Sequence, residues 1–202
     1  MSNKMKYLLA PVMMTLWIVC ACETQGPIVP TTPTIIQVAP VPPPLPPAAL
    51  PSILVGAGDI AICGNDLSNA EATSKLLDGI DGTVFTTGDN AYMNGTAQEF
   101  SDCYDPTWGR HKARTRPAPG NHDYRTNNAG PYFDYFGENA GPRGVGYYSY
   151  ELGAWHIIAL NSNVSLQGGS AQASWLRQDL STHQALCTLA YWHHPLYSSG
   201  PN

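Results

Sequence analysis

Two short apolar runs in this chain end in the same way. Ile53 to Gly58 reads ILVGAG and is followed by Asp59; Thr83 to Thr87 reads TVFTT and is followed by Gly88 and Asp89. A brief apolar or β-branched run that stops at glycine has the pattern of a strand buried on both faces, because it shows no polar side. Arg116 to Pro119 leads into a third polar turn, Gly120-Asn121-His122-Asp123-Tyr124, and the apolar run Leu186 to Trp192 leads into a fourth, His193-His194-Pro195. Asp59 and Asp89 are 30 positions apart, and Asp89 and Asn121 are 32 apart. Each interval holds one helix and one return strand, which a parallel crossover requires. The chain is thereby constrained to an α/β fold whose polar turns collect at the carboxyl ends of neighbouring strands.

The remaining pattern fills in that plan. Asn69 to Leu77 reads as a helix, with Ser68 or Asn69 as its N-cap. Tyr147 to Glu151 and Trp155 to Leu160 flank Gly153 and read as a hairpin. Gln172 to His183 has helical spacing at Trp175, Leu176 and Leu180. Arg110, Lys112, Arg114 and Arg116 recur with a period of two and would share one face if extended. A solvated edge is the favoured reading of that series, ahead of a phosphate-steering patch. His111, His156 and His183 carry little expectation of chemistry; His183 sits where it complements a helix dipole.

Residues 1–52 do not read as part of the domain. Lys4 and Lys6 precede an apolar run from Tyr7 to Val19, shorter than the roughly 20 residues of a membrane span and of the size of a signal-peptide core. Val19-Cys20-Ala21-Cys22 resembles a bacterial lipobox, and Cys22 is the favoured lipidated N-terminus. An ordinary cleaved signal or an uncleaved anchor would equally carry the rest of the chain out of the cytoplasm. Residues 23–52 are rich in proline and nearly uncharged. Proline fixes φ and lacks a donor, so this segment reads as an extended spacer between membrane and domain. The domain occupies 53–202. A formal net charge of −5 excludes a nucleic-acid scaffold held by bulk charge. Outside the cytoplasm cysteines pair. Cys63 and Cys103 flank the polar turns and are the expected pair, other pairings being open, and Cys187 is then expected as a free buried thiol.

The polar turns offer carboxylate, phenol, amide oxygen and imidazole from Asp59, Asp89, Tyr92, Asn121, His122, Asp123, His193 and His194. That mixture suits iron, manganese or zinc and not a thiolate site. Singly, each residue is ordinary: an aspartate at a strand end forms turns, and a tyrosine packs. Together and in order they point to metal chemistry.

In this order, GD, GDNAY, GNHD and HHP resemble the motifs of the calcineurin-like metallophosphoesterase superfamily, and Tyr92 makes the set similar to its purple acid phosphatase branch. The resemblance implies a two-sheet αββα sandwich and two metal ions, iron with zinc, manganese or a second iron. Asp59 and Tyr92 would bind the first ion, Asp89 would bridge both, and Asn121 and His193 would bind the second. His193 is preferred to His194 because the pattern places the histidine two residues before proline; His194 would lie behind the metals or face substrate. His122 would stabilise developing charge or protonate the leaving oxygen, with Asp123 holding its imidazole. A hydroxide between the metals would then cleave a phosphate ester. Two departures matter. The later GHxH-type motif is absent from these 202 residues, and Ala61 stands where many members carry a histidine. The expectation is a domain lacking its final strands, with weakened metal binding. The functional expectation is an exported, lipid-anchored phosphoesterase of the cell envelope or its surroundings, with a phosphate ester and the membrane as partners. The alternative is a surface lipoprotein that uses the same scaffold for binding.

Overall fold

The structure of the chain, a computed structural model, describes residues 52–64 and 67–199, and residues 19–22 by their backbone. Most of the signal-peptide reading and the proline-rich reading fall on residues outside this set. The described fold is mixed α/β. Strand β1 is Val19–Cys22, β2 is Leu54–Ala57, and a short β3, Ala61–Ile62, follows. Helix α1, Ser68–Asp78, turns Ala70, Ser74 and Leu77 inward, one face at helical spacing, with Leu67 at the N-cap position in place of the serine or asparagine expected there. It returns the chain to β4, Thr83–Thr87, which pairs in parallel with β2. After a short β5, Ala91–Tyr92, and a helical region, β6, Thr115–Ala118, pairs in parallel with the other side of β4. The sheet order is β2-β4-β6.

Strand β4 has no polar side because both its faces are covered. Val84 packs among the helices, while Phe85 packs against the second sheet, as alternation along a strand demands. The second sheet consists of β7, Tyr148–Leu152, β8, Trp155–Ala159, and β9, Cys187–Tyr191, with β1 on the outside, in the order β1-β9-β8-β7. Strands β7 and β8 form an antiparallel hairpin around Gly153 at φ +62°. Helix α4, Ala171–Thr182, capped by the Ser170 hydroxyl, makes the crossover from β8 to the parallel β9. Phe85 and Ala118 of the first sheet meet Ile157, Ala159 and Tyr191 of the second, and the Phe85 and Tyr191 rings lie 5.2 Å apart. At β6, Pro117 can donate to no neighbour, so the strand sits at a sheet edge. Buried tyrosines take up its carbonyls. Tyr132 and Tyr148 donate to the Pro117 oxygen at 3.0 and 2.9 Å, and Tyr191 donates to that of Arg116 at 2.8 Å.

Residues 97–140 are more helical than their sequence suggests. Ala97–Glu99, here α2, runs into one π-helical turn, Phe100–Tyr104, and a 3-10 helix follows at Trp108–Arg114. Helix α3, Gly130–Phe136, completes an aromatic core that includes Phe100, Tyr104, Tyr132 and Phe136. This helical backbone overturns the period-two reading of the basic series. Arg110 pairs with Asp78 at 3.2 Å, Lys112 lies 4.2 Å from the centre of the Tyr135 ring, and Arg116 donates to Asn139 at 2.7 Å. Arg114 donates to the carbonyls of Leu77, Ile80 and Gly82, where α1 ends. These cations hold local structure and form neither an edge stripe nor a steering patch. Cys63 and Cys103 form a disulfide. Cys187, expected as a free thiol, is also disulfide-bonded. The backbone of the lipobox-like segment lies antiparallel to β9, with Cys22 opposite Cys187.

Candidate metal centre

The site is assembled by loops that run side by side beyond the parallel strands. The backbone N–H groups of Asp59, Ile60 and Ala61 donate to the carbonyls of Gly88, Asp89 and Asn90 at 3.0, 3.0 and 3.1 Å. Both aspartates adopt left-handed backbone, φ +57° for Asp59 and +52° for Asp89. Short polar side chains tolerate that conformation best among non-glycine residues. Gly120 lets the third loop close on the second. A Cβ built on it would stand 2.1 Å from Asp89 Oδ1 and 2.2 Å from the Asp89 nitrogen. Gly88, at φ +93°, plays the same part against Gly120 and His193.

Asp89 sits at the centre, 3% exposed. Its Oδ2 accepts from the Tyr92 hydroxyl at 2.8 Å, and the same hydroxyl bonds Asp59 Oδ1. Its Oδ1 lies 3.4 Å from His193 Nε2 and accepts the His122 backbone N–H at 2.8 Å. His193 Nε2 in turn lies 2.9 Å from Asn121 Oδ1. One carboxylate therefore faces two groups of ligand atoms, Asp59 with Tyr92 on one side and Asn121 with His193 on the other. His193 Nδ1 lies 2.8 Å from the Thr87 carbonyl. A carbonyl only accepts, so Nδ1 carries a proton, and Nε2 is the nitrogen turned toward Asp89 and Asn121.

This is a concentration of acceptors short of positive charge. Among the described residues, no lysine or arginine pairs with Asp59 or Asp89. A phenol has one proton and two carboxylates beside it. Burial pushes the Asp59 carboxyl above its ordinary range, against the Tyr92 hydrogen bond and the nearby His193. Burial, then the Asp59 hydrogen bond, holds the Tyr92 phenol well above its ordinary value. A phenolate there needs a cation next to it. Two carboxylates, a phenol, an amide oxygen and an imidazole with Nε2 inward are a fitting donor set for hard or borderline cations.

Asp123 does something other than hold the imidazole of His122. Its oxygens accept the N–H groups of Gly120 at 2.8 Å and Asn90 at 3.1 Å, and the Asn90 amide at 3.0 Å. It is fully buried and ties the second loop to the third. Burial pushes its pKa up to about 7, against the hydrogen bonds from Gly120 and Asn90. The partner of His122 is the Met93 carbonyl, 2.6 Å from Nδ1, which leaves Nε2 turned toward the cluster, 3.8 Å from Asp89 Oδ2. His194 is exposed at the rim, its Nδ1 2.8 Å from Ser162 Oγ, and burial followed by the His193 charge lowers its pKa. Thr87, Met93 and Ser162 carry no motif. Two of them act through the main chain, and Ser162 arrives from the loop after β8.

No family model and no curated protein matches the sequence. The chain is similar to a purple acid phosphatase isolated from yellow lupin (Lupinus luteus) seeds, at a TM-score of 0.43 and 20% identity over 58% of this chain. It spans 23% of that protein's chain. So partial a likeness assigns no residue a role.

Proposed function

We propose that this chain is a metal-dependent phosphoesterase on the metallophosphoesterase plan. Asp59, Asp89, Tyr92, Asn121 and His193 would hold two cations, iron with zinc, manganese or a second iron. The observation that carries this reading is the division of Asp89, whose two oxygens face two separate groups of ligand atoms. Two cations at such a site polarise phosphoryl oxygens and acidify a water. The protein's own groups would position the substrate. His122, oriented by Met93, would offer Nε2 to the ester's leaving oxygen, and His194 on Ser162 would bound the site at the rim. Asp123 would keep the loops in register. The two sheets with helices over the first and α4 crossing beside the second favour the αββα layering.

The test uses the full chain. We expect bound metal and hydrolysis of p-nitrophenyl phosphate, with Asp89→Ala removing about two equivalents of metal and the turnover together. Hydrolysis that survives a chelator, or an Asp89→Ala variant as active as the parent, overturns the proposal. A folded protein with neither metal nor turnover favours a binding role for the same scaffold.

Export with a lipid anchor at Cys22 belongs to the same proposal and places the enzyme in the bacterial envelope. Pairing of Val19–Cys22 with β9 is the competing fate of those residues. Mass spectrometry of the mature chain separates them: an acylated N-terminal Cys22 supports the anchor, and an unbroken peptide through Val19 to Cys22 overturns it.

A further inference from the structure

The face of the second sheet turned away from Phe85 carries another group of ligand atoms. On β8, Trp155, Ile157 and Ala159 point into the core between the sheets, so His156 points the other way. The antiparallel register sets Glu151 of β7 directly opposite His156. Helix α4 brings Asp179, and His183 at its C-cap, onto the same spot. The His156 and His183 rings lie 4.3 Å apart. One ligand atom from each of Glu151, His156 and His183 lies within 4.8 Å of the other two. The phosphoesterase reading uses none of them. His156 stands near the start of β8, whereas His193 follows the end of the parallel β9, so the groups occupy opposite ends of the sheet.

Asp179 sets the protons on both rings. His156 Nε2 lies 2.6 Å from Asp179 Oδ2, and its Nδ1 lies 2.6 Å from Glu151 Oε1. His183 Nδ1 lies 2.8 Å from the backbone carbonyl of Asp179. That carbonyl only accepts, so His183 carries its proton on Nδ1 and has its lone pair on Nε2. The Asp179 carboxylate is 7% exposed and is held by the Ser149 hydroxyl at 2.6 Å. It fixes Nε2 and leaves Nδ1 facing the Glu151 carboxylate; burial lowers the His156 pKa, but the hydrogen bonds to Asp179 and Glu151 raise it by more. A ring nitrogen and a carboxylate oxygen so close share a positive charge, which either a proton or a metal ion can supply. A carboxylate behind a histidine is also the arrangement that orients an imidazole toward a metal.

We infer that Glu151, His156 and His183 form a second site for a divalent cation of the zinc class, tying the end of α4 to the β7–β8 hairpin. Two imidazole nitrogens and one carboxylate suit that class, with a fourth position left to water. Ligand atoms about 2.0–2.1 Å from zinc in a tetrahedron stand about 3.3 Å apart. The Glu151–His156 contact must therefore open and His183 must draw in. Glu151 and His183 have side chains 54% and 41% exposed and can move, while His156, 1% exposed, is the fixed member. The competing occupant is a proton on His156 Nδ1.

Zinc itself is the probe. In the full chain carrying Asp89→Ala and Asn121→Ala, dialysis should leave about one equivalent of zinc bound, and zinc should raise Tm. Adding His183→Ala or Glu151→Gln should weaken binding at least tenfold and abolish the rise; Asp179→Asn, which orients without ligating, should weaken it about 10–100-fold. Should the double variant fail to fold, His183→Ala in the otherwise unaltered chain should lower bound zinc by one equivalent. Zinc held equally with and without His183, or no zinc held at all, overturns the site and leaves the proton. The readout is zinc bound, so it stands apart from any result on hydrolysis.

Discussion

Glu99 braces the loop that carries Tyr92. Its carboxylate accepts the backbone N–H groups of Met93, Asn94 and Thr96, and the Thr96 hydroxyl accepts the Glu99 N–H at 3.1 Å, a reciprocal cap. Partial burial pushes this carboxyl up, but hydrogen bonds from Thr96, Asn94 and Met93 pull it further down, below its ordinary 4.5. A depressed folded-state pKa contributes stability above the unfolded value and loses it as pH falls through the folded one. Glu99→Gln should therefore lower unfolding free energy by about 1 kcal/mol at neutral pH, with the difference vanishing in acid. Urea unfolding of parent and variant at pH 7 and below pH 4 checks this. Gly120 offers a second test. With a Cβ at 2.1 Å from Asp89 Oδ1, Gly120→Ala must part the loops, lowering both the urea midpoint and bound metal. Gly168, where nothing lies within 4 Å of a built Cβ, should accept alanine without either change.

Among the elements, α1 depends on Arg114. The last carbonyls of a helix have no partner within it, and here one guanidinium serves that of Leu77 together with those of Ile80 and Gly82 in the segment that leaves the helix. Arg114→Met keeps much of the stem and removes those bonds. It should destabilise the protein by about 2–3 kcal/mol, since bonds to a charged group are the stronger kind. The Cys63–Cys103 bridge closes a loop with a sequence separation of 40, and that loop carries β4, β5 and Asp89. On the chain-entropy account its removal costs about 4 kcal/mol. Replacing both cysteines by serine and measuring urea unfolding against the oxidised parent reads that value. A loss near zero would show that the unfolded chain is already confined there.

Across the whole molecule, the candidate centre exists only where the two sheets meet. Asp59, Asp89 and Asn121 follow strands of the first sheet, and His193 follows β9 of the second. The contact of Phe85 with Tyr191 holds those ends together. Phe85→Ala should cost about 3–5 kcal/mol, as large-to-small changes in a packed core do. It should also weaken metal binding more than its distance from the ligands suggests, because His193 is displaced relative to Asp89. Calorimetry for stability and dialysis for bound metal test both halves.

The turns that end β2, β4, β6 and β9 are legible in the amino-acid sequence, because glycines, or after β9 a proline, next to ligand-bearing residues mark places where the backbone must bend. The strands that lead into them are legible because apolar runs of that length have few other uses. The helices from 97 to 140 are not, since an aromatic core drawn from separate segments decides them and no local period records it. Nor does the sequence show that Asp123 braces loops, that Met93 orients His122 through a carbonyl, or that four evenly spaced cations are used up on local partners. Such roles belong to contacts between residues about 20 or more positions apart, or to main-chain atoms that every residue shares. Glu151, His156 and His183 are the plainest case. Strand register and one helix end bring them together, and their order in the chain gives no sign of it. Composition and spacing decided which ligand-type side chains this chain offers and roughly where along it. The packing of two sheets decided which atoms meet, because a hydrogen bond or a metal bond depends on ångströms in space and not on positions along the chain.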